Sequence, residues 1–321
     1  MRVLALVPGG VSEQLLFFPT LEHLKHAFPK AEISVAVEPE AKAAYRVSAL
    51  VKEVFLYDFK QRNSPSDWAN LLGIIRDREF EVVLTATQSV SLALLLWLSG
   101  TPMRVGYGNS ANNLFLTATV PQKTAQYQGL QYHDLLAGLT VSGPCPSAAI
   151  NVPQKDIDWV SGQIKMQGIG DQGYVLVYGG PTDETVGQQY PADSWAAIIQ
   201  DFQARQPGLP LVLIQQPETA ELVKNLTQRL PNLKVVRPDN VGQVAALIAG
   251  ANLMLSTDSY PLQLGVALNV FTLALFGGND PEQRLPSLAG SETRFIGLTS
   301  PTGKVADITA KTILDKVWGG T

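Results

Sequence analysis

Short, unbroken apolar runs alternate with amphipathic segments along the whole chain. Runs such as 2–7 and 211–214 are typical of strands buried on both faces of a parallel sheet. Segments such as 68–76 and 218–230 place apolar residues at helical spacing. This β-α alternation predicts an α/β fold with mostly parallel sheets covered by helices on both faces. Further strands are predicted at 32–37, 54–57, 82–87, 104–107, 174–178, 234–236, 253–255, 270–276 and 294–298. Further helices are predicted at 41–45, 90–98, 157–166, 192–202, 241–249 and 305–318, and a short helix within 131–143.

Two such α/β halves follow one another along the chain. The Pro- and Ser-rich run 143–153 is the best linker candidate. We therefore expect two Rossmann-like, doubly wound domains facing across a cleft, spanning 1–150 and 151–304. The segment 305–321 forms a C-terminal helix, with packing back on the N-terminal domain as one option. In the first long helical stretch, Pro19 predicts either the start of the main helix or a kink near that start.

Composition narrows the class of protein. The chain has 321 residues, of which 45% are hydrophobic and 16% charged, and its net charge is −4. This balance describes a well-buried globular protein and argues against a nucleic-acid binder. The single Cys145 allows neither an internal disulfide nor a cysteine zinc cluster. The apolar segment 90–98 is too short for a membrane span and is interpreted as a buried helix, with membrane contact as the lesser option.

Four polar or Gly-rich loops follow predicted strands. They are 9–13, 179–182, 215–218, and 256–259 together with 277–280. Loops at the carboxyl ends of parallel strands gather on one edge of the sheet, where a helix N-terminus can bind an anion such as a diphosphate. The alternative is that Gly and Ser merely form turns there. The sequence leaves these two interpretations about even.

Two carboxylates are candidates for chemistry. Glu13 could act as a general base toward an acceptor hydroxyl, or it could simply complement the dipole of its helix. Asp258 could accept hydrogen bonds from the amides of Tyr260 and Leu262, or it could orient a sugar hydroxyl. Ser259 is expected to cap the helix that follows it. The three histidines, His23, His26 and His133, occupy surface-type helical positions without metal-ligand spacing, and the dinucleotide GxGxxG and GxxxxGK[ST] motifs are absent.

The segment VGQVAALIAGANLMLSTDSYPLQLGVALNVFTLALFGGNDP resembles the signature of glycosyltransferase family 9, the lipopolysaccharide heptosyltransferases of the GT-B fold. RVLALVPGGVSEQLLFFPTLEHLK and VYGGPTDETVGQQYPADSWAAII are similar to the family's N-terminal and donor-site segments. Several positions depart from the family pattern. Ser12-Glu13 replaces Gly-Asp, Gln188 replaces Lys, Tyr190 replaces Trp, Tyr260 replaces Gly and Gln263 replaces His.

The resemblance implies an inverting, metal-independent transfer of a heptose-like sugar from a nucleotide sugar to a hydroxyl. Glu13 would be the catalytic base on the acceptor-side domain, and the C-terminal domain would hold an ADP-linked or similar donor. The diphosphate would lie near Thr182, Ser259 and Gln263, and the ribose near Glu218. Gln188, Asp258 and Gly277 complete the implied donor-binding set.

The implied partners are a nucleotide sugar and a glycolipid or saccharide acceptor, without nucleic acid, metal or resident cofactor. The expected location is cytoplasmic, with peripheral contact at the inner face of the membrane as an option. The rival interpretation is a catalytically degenerate member that acts as a binding or structural subunit with a protein partner. A nucleotide-sugar epimerase of similar architecture is a third option.

Overall fold

The computed structural model describes residues 1–60, 64–170, 172–182, 189–286 and 294–319. The chain divides into two compact units, Met1–Asn151 and Val152–Thr321. The division falls inside the Pro- and Ser-rich run 143–153.

The first unit is built on a six-stranded parallel sheet with strand order β3-β2-β1-β4-β5-β6. The order reverses at β1 and β4, as in a doubly wound sheet. Its elements are β1 Arg2–Val7, α1 Val11–Ala27, β2 Glu32–Val37, a 3₁₀ helix Glu40–Val47, β3 Val51–Leu56, α2 Pro65–Asp77, β4 Val82–Thr85, α3 Val90–Leu98, β5 Met103–Tyr107, β6 Ala118–Val120, α4 Gln128–Asp134 and a 3₁₀ helix Leu135–Leu139.

The second unit repeats this plan with strand order β12-β11-β10-β7-β8-β9, all parallel. Its switch point lies between β7 and β10. Its elements are α5 Gln154–Met166, β7 Val175–Tyr178, α6 Ala192–Arg205, β8 Leu211–Ile214, a 3₁₀ helix Pro217–Thr219, α7 Ala220–Arg229, β9 Lys234–Val236, α8 Val241–Ala249, β10 Leu253–Thr257, α9 Tyr260–Ala267, β11 Thr272–Phe276, α10 Pro281–Arg284, β12 Phe295–Thr299, a 3₁₀ helix Val305–Asp307 and α11 Ala310–Val317.

The central strands of both sheets are buried on both faces. All five residues from Val3 to Val7 are fully buried, and every residue of β11 is buried. In such strands polar and apolar residues do not alternate, because helices cover both faces of the sheet. The doubly wound α/β fold predicted from the apolar runs is therefore confirmed.

Three expectations require correction. Helix α1 begins at Val11, so Pro19 lies well inside it and does not mark its start. No strand was predicted between 107 and 174, yet this stretch contains the edge strand β6, whose three residues are too few to show a pattern. His133 is buried, and its Nε2 lies 2.7 Å from His23 Nδ1, so neither ring is a simple surface group.

The C-terminal helix α11 packs against α6 of its own unit. The Trp318 ring centroid lies 4.9 Å from that of Phe202, and Trp318 Nε1 donates a hydrogen bond to Asp201 Oδ1 at 2.8 Å. These contacts join the segment to the hydrophobic core of the second unit. Packing of 305–321 on the N-terminal domain stays a prediction.

Candidate functional site

The carboxyl edge of the second sheet gathers four polar loops around its switch point. They follow β7, β8, β10 and β11. Thr257 Oγ1 ties two of these loops together by donating a hydrogen bond to the Gly180 carbonyl at 2.8 Å. This edge is where doubly wound sheets place their ligands, and it holds the predicted residues Thr182, Glu218, Asp258, Ser259, Gln263 and Gly277.

Asp258 lies at the centre of this edge and is only 1% exposed. Its Oδ2 accepts a hydrogen bond from Asn279 Nδ2 at 2.6 Å, and its Oδ1 lies 3.3 Å from Arg284 Nε. The amide of Leu262, which we had expected to donate to Asp258, donates to the Ser259 carbonyl instead. The predicted amide contact is therefore wrong for Leu262, and the carboxylate pairs with side chains.

Arg284 is the main residue that the sequence analysis missed. It ends the four-residue helix α10 and is 6% exposed. Asp280 caps that helix, because its Oδ1 accepts a hydrogen bond from the Glu282 amide at 3.0 Å. The sequence feature that could have identified Arg284 is the pair Asp280-Pro281, which is typical of a helix start. Arg284 lies one turn after this start and is directed back to the sheet edge.

Ser259 and Gln263 are also occupied by internal hydrogen bonds. Ser259 is the N-cap residue of α9, but its hydroxyl donates to the Thr257 carbonyl at 3.2 Å and does not cap the helix, against our expectation. Gln263, at the position where the family pattern has His, donates from Nε2 to the Arg284 carbonyl at 3.2 Å. Both side chains are almost fully buried. Neither is therefore presented to solvent as a ready ligand contact.

Two tyrosines line the neighbouring loops. Tyr178 donates its hydroxyl hydrogen to Glu218 Oε1 at 2.9 Å. The hydroxyl oxygen of Tyr260 lies 2.6 Å from the amide nitrogen of Gln216 and 2.9 Å from its oxygen. Burial raises the pKa of Tyr260 well above its ordinary value. Tyr260, which stands where the family pattern has Gly, is thus held as a neutral phenol beside the start of α9.

Thr182, Gly277 and Gln188 are the remaining residues that were predicted to bind the donor. Thr182 and Gly277 are buried at the ends of their loops. Gly180 must lack a side chain, because a Cβ there would lie 2.3 Å from the Tyr178 hydroxyl oxygen. Gln188 lies outside the described residues.

Glu13 belongs to the first unit and lies in the first turn of α1. Its Oε2 accepts a hydrogen bond from the amide of Gly10, the N-cap residue, at 2.8 Å, and so satisfies a backbone donor at the start of α1. This geometry matches the helix-terminus interpretation of Glu13, and its role as a base stays a prediction. The preceding Gly9 has φ +106°, and a Cβ there would lie 2.6 Å from Glu13 Cγ. Glycine at residue 9 therefore makes room for the capping carboxylate.

Within the described part of the chain, His, Cys, Asp and Glu side chains form no group of three or more that could hold a metal ion. None of the helices in that part is both long enough and apolar enough to span a bilayer.

Comparisons with known proteins agree with this architecture. Among curated proteins, the chain is 23% identical to photosynthetic NDH subunit of subcomplex B 1, chloroplastic, of Arabidopsis thaliana, over 97% of this chain and 72% of that protein. It is 20% identical to lipopolysaccharide heptosyltransferase 3 of Escherichia coli, over 84% and 81% of the two chains.

Two solved structures share the fold. A family 9 glycosyltransferase from Veillonella parvula superposes with a TM-score of 0.85 at 18% identity, covering 99% of this chain and 96% of that one. Heptosyltransferase WaaC of Escherichia coli with ADP-2-deoxy-2-fluoro heptose gives 0.76 at 17% identity, with both chains fully covered. Both similarities place the architecture in the GT-B class. The model of glycosyltransferase family 9 (heptosyltransferase) matches residues 68–313, and the chain therefore belongs to that family.

Proposed function

We propose that this chain uses the family 9 scaffold as a protein subunit and no longer transfers a sugar from a nucleotide sugar. One observation carries the proposal. The side chains of Asp258, Ser259 and Gln263, which would face a donor diphosphate, are buried and engaged in hydrogen bonds within the protein. A ligand would have to break these contacts before it gained its own.

The charge balance of the site supports the same conclusion. Transfer from a nucleotide sugar leaves a diphosphate whose growing charge must be offset, and preorganised donors of that kind contribute roughly 3 kcal/mol each. Arg284 is a buried cation at this edge, and it forms an ion pair with Asp258. Arg237, the residue after β9, donates from Nε to Gln215 Oε1 at 2.9 Å, and Gln263 is neutral. The cation that contacts Asp258 is therefore already paired within the protein.

The start of α9 is also a poor anion site. Pro261 has no amide hydrogen, and the Leu262 amide bonds to the Ser259 carbonyl. The Tyr260 side chain, held by Gln216, adds bulk beside this helix end. The relative from Arabidopsis thaliana, whose name describes it as a subunit, supports this proposal by its similarity over 97% of the chain.

Isothermal titration calorimetry with ADP, UDP and a panel of nucleotide sugars tests the proposal. We expect no binding by the natural chain at ligand concentrations of about 1 mM, the weakest range of specific affinity. A dissociation constant below about 100 µM for any of them would overturn it. Tyr260→Gly combined with Gln263→His serves as the matched variant, because it restores the two family residues at the described edge.

A second candidate, a weakened glycosyltransferase, is favoured by the parts of the site that persist. The family pattern persists at Asp258, at Gly277 and at the pair Asp280-Pro281. A carboxylate also persists in the first turn of α1, at Glu13. In this case Glu13 would leave the Gly10 amide and accept the proton of a glycolipid or saccharide hydroxyl at the inner face of the membrane. The donor would be a nucleotide sugar with a heptose-like sugar, and transfer would invert the anomeric centre without a metal ion.

Turnover separates the two candidates. Gln188→Lys together with Gln263→His supplies two groups that could offset the charge of a leaving diphosphate. A weakened enzyme should then consume the nucleotide sugar faster, by about tenfold or more per donor restored. A subunit without donor affinity should show no turnover before or after the change.

A further inference from the structure

An exposed apolar patch lies at the β6 edge of the first unit. It consists of Trp97 and Leu98 at the end of α3, Met103 at the start of β5, and Leu114 and Phe115 between β5 and β6. Leu114 is 80% exposed and Trp97 51% exposed. The Trp97 and Phe115 rings lie 6.2 Å apart, so the two segments form one surface, which we name the Trp97 patch.

Two arginines border this patch and are fixed in position by main-chain carbonyls. Arg76 donates from Nη2 to the Leu98 carbonyl at 2.6 Å. Arg104 donates from Nε to the Phe115 carbonyl at 2.8 Å and from Nη1 to the Thr101 carbonyl. Each guanidinium therefore has a defined place beside an exposed apolar side chain.

Acidic residues are missing from the segment that builds this surface. No Asp or Glu occurs between Glu81 and Asp134, whereas Arg104 and Lys123 lie in that interval. Lys123 pairs with Asp134, with Nζ 3.0 Å from Oδ2. Residues 82–133 thus supply the Trp97 patch with apolar side chains and Arg104 but with no carboxylate. The nearest acidic residues in the chain are Asp77, which follows Arg76, and Glu81, whose carbonyl accepts a hydrogen bond from the Met103 amide.

We propose that the Trp97 patch is the docking surface for a protein partner whose contacting face combines apolar side chains with carboxylates. The inference rests on the proposed function as a protein subunit. Trp, Phe, Met and Arg are the residues enriched in protein interfaces, and Trp and Arg dominate their binding energy. The planar fork of Arg fits a carboxylate in a bidentate pair, and an arginine held in place loses less entropy when that pair forms.

The charges of the Trp97 patch favour this protein partner over a membrane or a second copy of the chain. Anionic lipid surfaces are typically recognised by clusters of about four to eight Lys or Arg residues. The Trp97 patch has two arginines at its border, and both are fixed by carbonyls. A two-fold symmetric contact of the patch with itself would bring arginines together, and residues 82–133 supply no carboxylate to separate them.

Site-specific photocrosslinking in the organism's own cells tests the proposal. The full-length chain carries p-benzoylphenylalanine at position 114. Control chains carry it at Leu56, which is 51% exposed on the opposite edge strand, or at Met166, which is 72% exposed in the second unit. We expect an adduct with one protein at position 114 and none at the controls. The crosslinked peptide should contain apolar residues with Asp or Glu.

Binding measurements then test the chemistry of the contact. Fluorescence anisotropy uses a labelled synthetic copy of the crosslinked peptide and the purified full-length chain. Arg76→Ala and Trp97→Ser should each weaken binding by about tenfold or more, as expected for residues that dominate an interface. Leu56→Ser should change it less than about twofold. Equal affinities across these variants would overturn the proposal.

Other outcomes are equally decisive. An adduct joining two copies of the chain would overturn the proposal, as would co-sedimentation with phosphatidylcholine vesicles containing about 30% phosphatidylglycerol that is lost in Trp97→Ser. Adducts confined to position 56 or 166 would refute this docking surface while leaving the subunit function intact. No adduct at any position refutes the docking surface, and nucleotide binding by calorimetry would separately overturn the subunit function.

Discussion

Arg284 and Asp258 form an ion pair inside the second unit, with 3.3 Å between Nε and Oδ1 and side chains that are 7% and 1% exposed. The pair joins the loop after β10 to the short helix after β11. Asn279 adds a hydrogen bond to the same carboxylate. The most family-like segment of the chain is therefore organised around an internal contact between its own residues.

Replacing Arg284 by Met should destabilise the second unit strongly. Removing one partner of a buried ion pair leaves the other charge uncompensated, which typically costs about 3 kcal/mol in the free energy of unfolding. Urea denaturation followed by circular dichroism measures this loss. Arg229→Met is the matched control, because its pair with Asp193 is exposed and should be worth less than about 1 kcal/mol. A loss no larger than that of the control would contradict the prediction.

Gly9→Ala should destabilise the first unit, whereas Gly10→Ala should not. Gly9 has φ +106°, and its new Cβ would lie 2.6 Å from Glu13 Cγ, so strain and a clash combine at a cost of about 2 kcal/mol. At residue 10 the nearest atom would be Glu13 Oε2 at 3.6 Å. Thermal denaturation of the two variants gives the comparison. Similar melting temperatures would show that the Gly9 conformation is not required.

The sequence predicted the frame of the protein better than its contacts. The strands could be predicted because buried parallel strands are continuously apolar. Residues 211–214, for example, form β8 with the predicted bounds. The loops that make up the sheet edge were also identified. Their hydrogen bonds were not, because the partner of Asp258 is Arg284, 26 residues away, and local spacing says nothing about which way a buried side chain turns.

The same limit applies to Pro19 and to the histidines. A proline is usually found in the first turn of a helix, yet Pro19 lies in the interior of α1, whose stability comes mainly from the packing of its many buried residues and not from local preference. His23 and His133 are 110 residues apart and meet only when α1 packs on α4. Neither outcome could be read from the local pattern.

The His23–His133 contact should make the first unit less stable in acid. Burial, followed by the charge of His23, lowers the pKa of His133, while Asp134 raises it. A depressed pKa means that the neutral imidazole contributes stability above the unfolded value of about 6.5, and this stability is lost as the pH falls through the lower folded value. Melting temperatures from pH 7.5 to 5 should fall more steeply for the natural chain than for His133→Gln. Parallel profiles would contradict this assignment.

Glu38 should produce the opposite pH dependence in the same unit. It lies just after β2 and is 2% exposed, and its pKa is raised from its ordinary value of 4.5 to about 6 by burial, then by the nearby charges of Asp58 and Glu40. Because the folded pKa is raised, the stability contributed by the protonated acid is complete below pH 4.5 and is lost as the pH rises through about 6. The penalty of the buried carboxylate is therefore fully present at neutral pH.

Glu38→Gln isolates this effect because an amide of the same shape does not titrate. Relative to the variant, the natural chain should lose about 1.5 kcal/mol of unfolding free energy between pH 4.5 and 7.5, since each unit of pKa shift corresponds to about 1.4 kcal/mol. Urea denaturation at several pH values measures the difference, and the His133 contribution cancels because both chains contain that residue. Glu221→Gln is the control: this residue is exposed on α7 of the second unit, is not among the charges that raise the pKa of Glu38, and its substitution should change the profile much less. If the two chains differ by a constant amount at every pH, Glu38 titrates normally and the raised pKa is refuted.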